Sequence, residues 1–211
     1  RYRAYRAFLD GYKPSIKVFV STREPETYFK SVFFQQWHLY SSLAEKKYGE
    51  LTPQSFTAYI EYCLSILDEY SVSLSTSEGA LRIIEDSTVD IGVRCMAHSV
   101  RSYMSWFDVE LFEVFDLSID NIKFREGRWS FNKNGIAGVI IRLEDFNQQL
   151  DSTLSYLVND NVKIKVENKN VGAEKPNREF YAYLQEHIEI PKNLMGEIKR
   201  SFSYRHFYGD K

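Results

Sequence analysis

The period of apolar and polar positions changes several times along this chain, and each change marks an element. Residues 16–22, Ile-Lys-Val-Phe-Val-Ser-Thr, are apolar or β-branched almost throughout and predict a buried strand. Pro25 then suits the first position of a helix, rich in Phe and Tyr, that reaches about Tyr48. Thr52-Pro53 starts a second helix, with Phe56, Tyr59, Ile60, Cys63, Leu64 and Leu67 recurring at helical spacing. The pattern lapses over 75–88, which reads as irregular, and returns over 89–115 as a third long helical region with a break near Trp106. Residues 118–124 and 128–146 predict two or three strands with Asn134-Gly135 as a turn. A helix follows over 144–160, a short strand over 162–170, and two closing helices over 176–188 and 191–209. Ahead of the first strand, residues 1–12 read as a short helix ended by Gly11. Strands alternating with helices predict an α/β fold with a mainly parallel sheet. The whole of 1–211 reads as one domain, with 50–115 as a helical insert.

Composition narrows this picture modestly. With 211 residues, 44% hydrophobic and 27% charged, the chain has the means to bury a core and does not resemble a disordered one. A net charge of −2 argues against nucleic acid as a partner held by bulk electrostatics, while leaving room for a local basic pocket. Cys63 and Cys95 show no paired spacing and predict free thiols in a reducing compartment. No apolar run approaches the ~20 residues of a membrane span. Arg1 opens the chain in the middle of a pattern, so the sequence reads as a piece of something longer.

The candidate chemistry lies first in 16–37. A strand ending at Thr22 delivers Arg23 to the carboxyl edge of a parallel sheet, the edge where such folds bind ligands. Pro25 starts a helix whose N-terminal N–H groups attract anions, and Ser31, eight residues after Arg23, adds a hydroxyl. Arginine, helix start and serine suit a phosphate, which guanidinium grips with two parallel hydrogen bonds. The plainer reading is an Arg23–Glu24 surface pair and a solvated Ser31. In Ile140–Phe146, Arg142 and Glu144 read as a structural ion pair, with Asp145 capping the next helix. His38, His98, His187 and His206 are scattered without metal-ligand spacing, so no metal is expected.

The stretch Ser-Thr-Arg-Glu-Pro through Phe34 resembles the 3′-phosphate-binding segment of the P-loop sulfotransferase superfamily, with Glu24 where that family usually has Asp. Further segments follow in order: Ser105–Asp120, Glu167–Lys175 and Ser203–Asp210 resemble bacterial capsular polysaccharide synthesis proteins of sulfotransferase-like fold, with Tyr204 where Lys is frequent. Val139–Phe146 resembles the late strand of sulfotransferases. The resemblance implies a three-layer P-loop sulfotransferase-like fold. It also implies 3′-phosphoadenosine-5′-phosphosulfate (PAPS) as co-substrate, bound by Arg23 and Ser31. Lys169, Lys175, Arg205 and His206 are candidates to line the nucleotide or an anionic glycan, although a solvated helix end suits each of them as well. His38 and Glu110 are candidate bases for the acceptor hydroxyl, although a structural role suits each as well. The implied function is sulfuryl transfer to a hydroxyl of a capsular polysaccharide or other glycan, in the cytoplasm or at the inner face of the membrane. The superfamily's Gly- and Lys-containing phosphosulfate loop would precede Ile16 and has no counterpart in 1–15. A non-catalytic nucleotide-binding or scaffold protein of capsule assembly is therefore the alternative.

Overall fold

A computed structural model describes residues 16–125, 127–133, 135–158 and 177–209. In chain order these form β1 (Ile16–Thr22), α1 (Pro25–Gln35), α2 (Trp37–Tyr48), α3 (Pro53–Glu69), α4 (Ser77–Glu85) and α5 (Ile91–Trp106). A π-helix (Phe107–Phe112) follows, then β2 (Lys123–Arg125), β3 (Arg128–Lys133), β4 (Ile136–Arg142) and α6 (Phe146–Val158). The chain closes with α7 (Arg178–His187), α8 (Lys192–Arg200) and α9 (Phe202–Phe207). The helix expected over 1–12, the strand over 162–170, and Lys169 and Lys175 lie outside the described residues. Of the described residues, 16–24 and 106–158 belong to one compact unit, and 25–105 with 177–209 to another.

In the sheet unit the strand order is β1-β4-β3-β2. β1 and β4 run parallel with Val18 opposite Gly138 and Thr22 opposite Arg142, while β4-β3-β2 is an antiparallel meander. The expected mainly parallel sheet is therefore a mixed one, with a single parallel pair among the described strands. The reason is loop length. The connection through Gly135, whose φ is 79°, is too short for the crossover that parallel strands require. α6 covers one face, where Val139, Ile141, Leu157 and Phe146 cluster, and Phe146 meets Phe19 edge-on at 6.2 Å. β1 is at the edge of the described sheet, and only Val20 and Thr22 of its side chains are buried, so it is not the fully buried strand its apolar run suggested. β4 is: Ala137 to Ile141 are buried without a break. Gly138 has a specific cause, since a Cβ there would stand 2.1 Å from the ring of Phe131 on β3.

The helical unit builds a core rich in aromatic residues. Trp37 packs at 4.8 Å from both Phe56 and Phe180, and Phe33 and Tyr40 continue the cluster at 6.2 Å. Thr52 starts α3 with a reciprocal capping box to Ser55, as the Thr-Pro pair predicted. Asp68, near its end, accepts from Asn193 and from the backbone N–H of Leu194, fastening the start of α8. The single helix expected from Pro25 to Tyr48 is broken at Gln36. The segment read as irregular contains α4, its first turn capped by the Thr76 hydroxyl. Among the described residues no helix is long and apolar enough to cross a membrane.

Candidate functional site

The parallel pair fixes the place to look. β1 and β4 end side by side, so Arg23-Glu24 and the turn Leu143–Asp145 emerge at the same carboxyl edge. That edge is held by specific bonds. The backbone N–H of Glu24 donates to Glu144 Oε1 at 2.9 Å, joining two segments 120 residues apart. Arg142 closes on Asp145 through Nε and Nη2, each 2.6 Å from Oδ2. The expected Arg142–Glu144 pair is thus replaced by Arg142–Asp145. The tight turn after β4 brings the third residue, not the second, under the guanidinium, and Glu144 turns to β1 instead. Asp145, expected as a helix cap, is engaged by Arg142. Arg23 is half-buried at this edge, and the chain enters α1 two residues later. Two guanidinium and three carboxylate groups therefore share the edge, with Asp145 committed to Arg142 and Glu144 to a backbone donor.

The other sequence candidates lie on several elements. Ser31 is half-buried on α1 and belongs to the helical unit, whereas Arg23 belongs to the sheet unit. His38 is exposed at the second position of α2. Glu110 is exposed on the π-helix, which begins where a break near Trp106 was expected. Such helices recur at functional sites. Beside it, partial burial and then the charge of Glu113 push the Asp108 carboxyl above its ordinary range. His38 and Glu110 also fall in different units. On α9, Arg205 is exposed and His206 half-buried. Among the described residues, no group of three or more His, Cys, Asp or Glu side chains is placed to hold a metal.

Two features were missed from the sequence. Tyr59, buried in α3, donates to Asp90 Oδ1 at 2.6 Å, and the same oxygen accepts the Gly92 N–H at 2.7 Å to cap α5. No local signal announces a partner 31 residues away. The second is a group of cations, Lys123, Arg125 and Arg128, lining a cleft of the sheet unit. Its signal was legible: basic residues at alternate positions of a strand, and again just past a hairpin, share one face.

Residues 81–209 match the family model described as "Putative capsular polysaccharide synthesis protein". The match takes in Glu110, Arg142, Glu144 and the cation cleft, and leaves Arg23, Ser31 and His38 outside it. No curated protein and no solved structure matches the chain.

Proposed function

This chain belongs to the capsular polysaccharide synthesis family, and from that premise we propose that it transfers a sulfuryl group from PAPS to a hydroxyl of a capsular glycan. The observation that carries the reading is Arg23 at the carboxyl edge of the β1/β4 pair, with the next peptide N–H gripped by Glu144. A guanidinium at a strand end, two residues before a helix begins, suits a phosphate monoester. In this proposal Arg23 anchors the donor's 3′-phosphate, and Ser31, Lys169 and Lys175 are further contacts to it. The sulfur's bond to the donor's 5′-phosphate oxygen breaks as its bond to the acceptor oxygen forms. The hydroxyl proton passes to a base, for which Glu110 and His38 are the candidates. The protein's contribution is to hold two reactants in line and to stabilise charge on the departing phosphate.

The test is incubation of the full-length protein with PAPS and desulfated capsular polysaccharide. Adenosine 3′,5′-bisphosphate and glycan sulfate ester should appear in equal amounts. Binding of the nucleotide without turnover would replace the enzyme with a nucleotide-binding scaffold of capsule assembly. Neither binding nor turnover would end the sulfuryl reading altogether.

A further inference from the structure

In the sheet unit, β2 and β3 pair with Lys123 opposite Ser130 and Arg125 opposite Arg128. Cross-strand partners share a face, so three cations and a hydroxyl stand together on two short strands. Like charges directly opposite one another destabilise a sheet, so the Arg125–Arg128 pair is a cost that the fold maintains. Arg128 itself is buried, 9% exposed. These residues line an open cleft of about 580 Å³, within the ~300–1,000 Å³ range of ligand sites. Among the described residues that line it, Asp120 is the one carboxylate against three cations.

The rest of the lining is not that of a simple anion sink. Asn121, Asn132 and Ser130 offer amides and a hydroxyl, which both donate and accept. Tyr156 of α6 presents a ring that is 43% exposed, with the Arg128 guanidinium 5.2 Å from its centre. A flat ring steadied by a guanidinium forms a platform for a planar or disc-shaped ligand. Along the same helix face, Gln149 Oε1 and Thr153 Oγ1 are buried without a hydrogen-bond partner among the described residues. We propose that this cleft binds an acidic glycan, its carboxylate or sulfate groups taken by Lys123, Arg125 and Arg128 and one sugar ring laid on Tyr156. The choice of a glycan rests on the capsule reading, in which a capsular glycan is the acceptor. The cleft itself does not depend on the sulfuryl donor.

The test is titration of the full-length protein with oligogalacturonate, with a neutral dextran oligomer of equal length, and with linear polyphosphate of equal charge. Oligogalacturonate should bind, more weakly as salt rises, and dextran should not. The double variant Lys123→Gln/Arg125→Gln changes two exposed side chains and relieves the repulsion across Arg125–Arg128, so it should melt no lower than wild type while losing about tenfold or more in oligogalacturonate affinity. Tyr156→Ala should weaken oligogalacturonate several-fold and leave polyphosphate unchanged. Arg23→Ala should leave glycan binding as it is. Failure of oligogalacturonate to bind, an unaffected double variant, equal binding of dextran, or equal losses of glycan and polyphosphate in Tyr156→Ala would each overturn the proposal. Glycan binding without sulfuryl transfer, by contrast, supports the cleft and removes the donor.

Discussion

Tyr59 shows how a single side chain couples two helices through a polar contact inside an apolar core. Its hydroxyl and the Gly92 N–H share Asp90 Oδ1, so removing the hydroxyl leaves that carboxylate one donor short. Tyr59→Phe should therefore cost about 1–3 kcal/mol, read as a lower urea midpoint at unchanged slope; an unchanged midpoint would mean water replaces the hydroxyl. Cys63, fully buried nearby, has its thiol pushed up to about 12 from 9.0, first by burial and then by the charge of Asp90. A raised acid holds its proton more tightly in the folded state. Its contribution to stability is thus complete below pH 9 and is lost as pH rises toward 12. Native protein at pH 8 should leave Cys63 unmodified by a thiol reagent, whereas denatured protein without reductant should titrate both cysteines, free in the structure. A denatured count of zero would contradict the free thiols. At this scale the sequence revealed caps such as Thr52, whose partner lies three residues away, and concealed Tyr59–Asp90 and Glu24–Glu144, whose partners are set by the fold.

Elements were legible where their ends carry local chemistry. Pro25 and Thr52-Pro53 start helices as written, and β1 and β4 lie in one sheet as their apolar runs implied. α4 lies in the stretch read as irregular. Gly79 in its first turn permits a close approach, since a Cβ there would stand 2.3 Å from the Ser73 carbonyl oxygen. Strand direction was misjudged because period and propensity report burial, not polarity; the short connections alone pointed to a meander. Gly138 makes the corresponding prediction within the sheet. Gly138→Ala would drive a methyl group into the Phe131 ring, and the buried ring has little room to retreat. About 1–3 kcal/mol of destabilisation should follow, despite the gain in strand propensity. Pairing it with Phe131→Leu should recover part of the loss. A lone Gly138→Ala as stable as wild type would show that Phe131 swings clear.

For the molecule as a whole, the family match and the sequence resemblance meet over 81–209, while the arginine on which the donor reading depends lies ahead of that span. The capsule assignment and the nucleotide assignment are therefore separable, and the second needs its own measurement. The chain's net charge of −2 offers an anionic nucleotide no general attraction, so affinity must come from local contacts. A two-pronged, charge-assisted contact between guanidinium and phosphate contributes about 1.5–3 kcal/mol. Arg23→Ala in the full-length protein should then weaken adenosine 3′,5′-bisphosphate roughly 10- to 150-fold by calorimetry. Adenosine 5′-phosphate lacks the 3′-phosphate, so it should bind poorly to wild type and be nearly indifferent to the substitution. Glu144→Ala separates anchoring from positioning. It removes the acceptor that holds the Glu24 N–H while leaving Arg23 in the chain, so its loss should be smaller and, unlike that of Arg23→Ala, should be partly restored by Glu144→Gln, whose amide oxygen accepts the same N–H. Equal losses for both nucleotides, or none for either, would make Arg23 an ordinary partner of the carboxylates at its sheet edge.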